Sequence, residues 1–121
     1  MKILRLLFLF SMVTILFGCS PNEMLSVGDP VEGQINFHTE ITDKEKIDQV
    51  RRIFQNLESI NEPNNLNNKA DTFISIRKDA IQEIFAYIWY MDDGSSITMR
   101  PHNRYYYISK EETDKLKGIT H

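Results

Sequence analysis

Apolar residues fall in three different rhythms along this chain. From Leu6 to Phe17 they form an almost unbroken run, interrupted only by Ser11 and Thr14 and preceded by the basic side chains Lys2 and Arg5. That is the n-region and h-region of an export signal, predicted over residues 1–18. A membrane-spanning helix needs roughly 20 apolar residues to cross about 30 Å of hydrocarbon. This run stops short, at Gly18. A two-residue alternation appears later, at Ile35, Phe37, Thr39 and Ile41, with Asn36, His38 and Glu40 between them. It predicts a half-buried strand with His38 on the polar side. The third rhythm is helical: Ile47, Val50, Ile53, Phe54 and Leu57 recur at helix spacing behind Thr42-Asp43-Lys44-Glu45. That tetrapeptide has the S/T-x-x-E form of a capping box and predicts where the helix begins.

Residues 19–33 contain Pro, Gly and acidic residues with scattered apolar ones and no period, and are read as a tether. Asn61 to Ala70, with Pro63 and five Asn, reads as a mobile loop. Beyond it the pattern is an antiparallel meander. Strands are predicted near Asp71–Arg77, Gln82–Met91, Ser95–Arg100 and Arg104–Ile108, with a turn at Lys78–Ala80.

Asp93-Gly94 is the strongest hairpin signal, because a two-residue type I′ loop requires positive φ at both positions. Pairing Asp92 with Ser95 then sets Tyr90 against Ile97, Ile88 against Met99, Trp89 against Thr98 and Tyr87 against Arg100. In that register Ile84, Ala86, Ile88, Tyr90, Ile97 and Met99 form the core face. Phe85, Tyr87, Trp89 and Met91 form an aromatic stripe on the other, opposed by small polar groups and Arg100. Either a second layer folds over the stripe (the tether, the terminal helix or the Asn-rich loop) or it is a binding platform made of Phe85, Tyr87, Trp89 and Arg100. Arg100 is expected over Tyr87 as a cation–π pair in both cases. Replacing Trp89 by Ala separates the two: a free face loses within about 1 kcal/mol, a core ring several.

Ser109-Lys110-Glu111-Glu112 is a second capping box, and Gly118 a C-terminal stop for a helix of about two turns. The fold class is therefore α+β: an antiparallel four- or five-stranded sheet with one main helix and a short C-terminal helix on one side, spanning residues 34–121.

Cysteine usage adds a location. Cys19 is the only Cys in 121 residues, so no disulfide staples the domain. Leu16-Phe17-Gly18-Cys19 resembles a lipobox, the recognition sequence of bacterial prolipoproteins, in which a small residue precedes a Cys that receives a diacylglyceryl group before cleavage. Leu16, Gly18 and Cys19 fit; Phe17 is bulkier than the residue usual there and leaves the thiol in place. The alternative is that Cys19 is an ordinary apolar residue of a plain signal peptide or anchor. Cleavage before Cys19 removes Lys2 and Arg5, taking the 14 basic side chains to 12 against 17 acidic, a side-chain charge of −5. Such a surface argues against nucleic acid as a partner.

Ile84 to Gly94 and Tyr105-Tyr106-Tyr107-Ile108-Ser109, running into Glu111-Glu112 and Leu116, carry a further likeness. The mature part resembles small lipoproteins of low-GC Gram-positive bacteria with a YhfM-like domain, over Ile35 to Ile119. The resemblance implies a fold and a location, the extracytoplasmic face of the cell membrane, and no activity.

Catalytic and metal patterns are sparse. His38, His102 and His121 stand 64 and 19 residues apart with no neighbouring Cys, which is no zinc spacing. Asp92-Asp93-Gly94 lacks the alternating oxygen ligands of a calcium loop. There is no G-x-S-x-G, no phosphate-cradling Gly loop and no H-E-x-x-H. The expectation is a non-enzymatic binding or interaction module at the cell envelope, with no cofactor and no metal, held to the membrane by its lipid and meeting an envelope protein or cell-wall ligand. Two other classes stay open: an immunity or inhibitor protein against a toxin or wall enzyme, and a hydrolase with Asp92, Asp93 or Glu83 clustered in a cleft.

Overall fold

A computed structural model describes residues 22–121. The signal segment 1–18, the lipobox Leu16-Phe17-Gly18 and the lipidation candidate Cys19 lie outside the described residues. In chain order the elements are β1 (Glu23–Val31), β2 (Gln34–Ile41), α1 (Lys44–Gln55), β3 (Glu58–Ile60), β4 (Thr72–Lys78), β5 (Ile81–Tyr90), β6 (Ser96–Arg100), β7 (Arg104–Ile108) and α2 (Lys110–Thr120). The strands form one seven-stranded antiparallel sheet in the order β2-β1-β4-β5-β6-β7-β3. The class is α+β, as the patterning predicts, with two or three more strands than expected.

Both helices pack on one face. Ile47, Val50, Ile53 and Phe54 of α1 and Leu116 of α2 share a buried core with Leu25, Val27, Ile74, Ile76, Ile84, Ala86, Ile88 and Ile108 from the sheet. The residue that caps α1 is Asp43, one later than the capping box implies: its carboxylate accepts from Glu45 N at 2.9 Å. An aspartate there also places negative charge at the helix N-terminus. At α2 the cap is Ser109 as expected, its hydroxyl accepting from Glu112 N at 3.2 Å. Gly118 does not stop this helix, which continues to Thr120.

The largest correction concerns the tether. Residues 23–31 are β1, an interior strand between β2 and β4, and Leu25 and Val27 are fully buried under α1. Its alternation is interrupted by a bulge: Val27 pairs with Thr39 and Gly28 with Phe37, leaving His38 as the extra residue. A Cβ on Gly28 would lie 2.7 Å from Ile35 Cγ2 and 3.0 Å from Asn36 O, so the close approach of β2 requires glycine. The domain thus begins before residue 34. β3, three residues just after α1, was also not expected; it pairs only with β7 at the sheet edge.

The β5–β6 register differs by one residue from the expected one. Tyr90 pairs with Ser96, Trp89 with Ile97, Ile88 with Thr98 and Tyr87 with Met99. The loop takes Asp92 in as a third residue: Gly94 N donates to Met91 O at 3.1 Å, Met91 N to Ser95 O at 2.8 Å, and only Gly94, at φ +92°, is left-handed. This is a type I turn closed by a glycine bulge. Because strand side chains alternate, the slip exchanges the faces of β6. Ser96 and Thr98 are buried under the helices, while Ile97 and Met99 turn to the aromatic side. Small hydroxyls under α2 let it approach the sheet. Ser96 and Thr113 share a 2.8 Å hydrogen bond, and Thr98 donates to Tyr87 O at 2.9 Å.

Candidate functional site

The face away from the helices carries Phe37 from β2, Phe73 from β4, Phe85, Tyr87 and Trp89 from β5, Ile97 and Met99 from β6, and Tyr105 and Tyr107 from β7. Phe73 stands edge-on to Tyr87 at 5.0 Å and to Phe37 at 6.0 Å, and lies 6.2 Å from Phe85. Trp89 lies 6.4 Å from Tyr105. Such spacings suit aromatic pairs and gather the rings into two groups, one around Phe73 and one of Trp89 and Tyr105.

Arg100 is not part of it. With the register it has, its guanidinium lies on the helix side, 5.9 Å from the Phe54 ring centroid, instead of over Tyr87. Phe85, Tyr87 and Trp89 do share the predicted face, but their exposure differs. Trp89 is only 7% exposed, Phe85 and Tyr87 are half-buried, and Phe37 is 51% exposed.

A second layer does fold over the stripe, but unevenly, as two loops. The connection from β3, at one sheet edge, to β4, near the middle, travels over the aromatic side. There Asn67 O accepts from Trp89 Nε1 at 3.0 Å and Glu62 accepts from the Tyr105 hydroxyl at 3.3 Å. Burial, together with the Glu62 carboxylate, raises the pKa of Tyr105 above the ordinary phenol value. The Asn-rich segment is thus fastened to the sheet. From the other side, the β1–β2 ribbon continues past the start of β4, whose pairing with β1 ends at Gly28 and Phe73.

Between these two loops is a cleft of about 470 Å³. Its floor is Tyr87, Trp89 and Met99, its apolar walls are Pro30, Ile35 and Ala70, and its rim carries Glu32, Gln34, Asn68 and Lys69. The cleft is mostly apolar, a few hundred Å³, with polar groups of both signs at the mouth, features common among clefts that take small ligands. Met99 and Ile35 were missed as site residues, Met99 because the expected register turned it inward. A larger depression, about 960 Å³, runs between α1 and α2; Tyr107 is its one aromatic lining residue, and long exposed side chains such as Lys46, Gln49, Arg52 and Lys115 wall it.

The carboxylates considered for hydrolysis do not converge. Glu83 lies at the start of β5 and is bonded to Arg51, while Asp92 and Asp93 follow its far end, about 30 Å away at strand rise. Asp93 Oδ1 accepts from Ser95 Oγ at 2.6 Å and from Ser95 N at 2.9 Å. Those two bonds hold its carboxyl below the usual range. Among the described residues no three His, Cys, Asp or Glu side chains are grouped to hold a metal ion. His38 is exposed, 3.5 Å from Asp29. No helix among the described residues is long and apolar enough to cross a membrane.

No family model, no curated protein and no solved structure matches this chain.

Proposed function

We propose that this chain is an exported lipoprotein, acylated on Cys19 and akin to the YhfM-like lipoproteins. In this reading its domain is a non-enzymatic recognition module that takes an amphipathic cell-wall ligand into the Tyr87-Trp89-Met99 cleft. The observation that carries the recognition half is the make-up of that cleft, an aromatic and thioether floor beneath a rim of Glu32, Gln34, Asn68 and Lys69. A pyranose ring matches it: its axial C–H face packs on aromatic carbon while its equatorial hydroxyls reach amides and charges at the rim. Export and anchoring are supported by Lys2, Arg5, the Leu6–Phe17 run and Gly18-Cys19. The carboxylates weighed for hydrolysis, Glu83, Asp92 and Asp93, are not among the residues that line the cleft.

Calorimetric titration of the lipoprotein in detergent with wall disaccharides, with and without a peptide stem, tests the reading. Binding should weaken at least tenfold in Met99→Lys and Tyr87→Ala and be unchanged in Lys115→Ala, on the helix side. Equal affinity in all three proteins, or no heat with any fragment, contradicts it.

A further inference from the structure

We propose that the β4–β5 hairpin tip, Arg77 to Ile81, rests on the lipid bilayer, so that the cleft opens at the opposite end of the molecule. The inference rests on the anchoring through Cys19 proposed above and goes beyond it, because an anchor alone does not say which surface meets the membrane.

Chain length supplies the first argument. Only Ser20, Pro21 and Asn22 separate Cys19 from Glu23, the first residue of β1. Asn22 is bonded to the tip in both directions: its N–H donates to Asp79 Oδ1 at 3.0 Å, and Asp79 N donates to Asn22 O at 2.9 Å. From Asn22 back to Cys19 there are three residue steps, at most about 11 Å of extended chain. The lipid-bearing residue therefore cannot be carried far from the tip.

The chemistry of the tip is the second argument. Ile81 is 70% exposed, more than any other exposed large apolar side chain among the described residues. It is flanked by exposed Arg77, Lys78 and Ala80. The single acid there, Asp79, has an oxygen engaged by Asn22 N. Asp79 and Ala80 both adopt positive φ, +52° and +67°, where Asn-Gly is the unstrained choice. Ala in place of Gly keeps a strained methyl beside Ile81. Lys78 pairs across the hairpin with Ile81 and its ammonium lies 4.0 Å from Glu23 Oε1, while Arg77 pairs with Gln82. An exposed apolar side chain beside long cationic ones is suited to the boundary of acyl chains and anionic headgroups, where the cations snorkel to phosphate.

The third argument is direction. β1 runs from the tip end at Glu23 to Val31, about 27 Å at strand rise, and the turn after it, Glu32 and Gly33, borders the cleft. The cleft mouth is thus displaced outward, toward the wall.

The test uses the full lipoprotein reconstituted in vesicles of phosphatidylglycerol and phosphatidylethanolamine. Cys19 is blocked by its lipid, so a single introduced thiol, Ala80→Cys or Glu32→Cys, takes an environment-sensitive fluorophore. The label at 80 should shift to the blue and be quenched by spin-labelled lipid, and the label at 32 should do neither. Ile81→Asp should remove most of the quenching at 80 with the circular dichroism unchanged. Water-like emission at 80, or equal quenching at 80 and 32, with Cys19 shown to be acylated by mass spectrometry, overturns the orientation and leaves the anchoring intact. An unacylated Cys19 overturns both.

Discussion

The indole of Trp89 is fastened by Asn67 O and stacked toward Tyr105, with 7% of its surface left open to the cleft. Cutting it to Ala removes a nearly buried ring as well as an anchor for the Asn-rich loop, so a loss of about 3–5 kcal/mol is expected in urea unfolding. Trp89→Phe keeps most of the ring and strands one carbonyl, for about 1 kcal/mol. A result near zero for Trp89→Ala would show that the loop does not seat on it. Gly28→Ala is expected to cost about 1–3 kcal/mol, because the new methyl would lie 2.7 Å from Ile35 Cγ2, closer than real Cβ atoms come, and tight against the β2 backbone at Asn36 and Phe37. Asp93 makes a pH-dependent contribution. Its carboxyl is held low in the fold by Ser95, so the stability it adds is present above the unfolded value, near ~3.9, and is lost as pH falls through the folded one. The stability gap between wild type and Asp93→Asn should be constant above about pH 5 and close toward pH 2. A gap that does not change with pH would mean that the Ser95 bonds do not act on the charge.

At the scale of elements, Arg51 ties three of them together. From α1 its guanidinium reaches Glu83 of β5, Asp48 of its own helix at 2.8 Å and Glu23 of β1 at 3.0 Å. Burial opposes its charge, but the hydrogen bonds to Glu83, Glu23 and Asp48 outweigh that and raise its pKa above the usual value. Arg51→Met leaves three carboxylates facing one another, and a loss of about 2–3 kcal/mol is expected, less than for a fully buried pair because the cluster is partly wet. Unfolding in denaturant measures it, and unchanged stability would contradict the role. The pattern of legibility follows the same physics. Both helices are readable because an apolar stripe and a cap coincide in each, and β7 because a turn precedes it and the Ser109 cap follows it. β1 was hidden: the bulge at Gly28 and the proline at 30 break its alternation, and an interior strand that ends past its neighbour carries turn residues inside its own span. β3 is too short to show a period. The β5–β6 register went wrong at one residue, since Asp93-Gly94 reads as a two-residue turn when Asp93 is free. The Ser95 hydrogen bonds to its side chain instead favour a three-residue loop with one left-handed glycine. That single step moved Met99 into the cleft and Arg100 out of it.

At the scale of the whole molecule, one sheet separates two kinds of surface. Both helices pack on one side, and on the other two loops leave a gap over aromatic rings. Phe85, Tyr87 and Trp89 were legible as a face because large rings recur every second residue. The cleft was not, since its walls come from loops brought together by the strand order β1-β4-β5. The tip end and the cleft end lie at opposite ends of the same strands, and in the proposed orientation the cleft faces away from the membrane. Trp89 is the only tryptophan in the chain, and it lies in the cleft floor, so its emission reports occupancy with no added label. Titrating the protein with wall disaccharide should shift and saturate that emission and protect it from acrylamide quenching, and Met99→Lys should abolish both changes. Emission and quenching that stay constant through the titration, in a protein whose circular dichroism shows it folded, would contradict the assignment of the cleft as the recognition site.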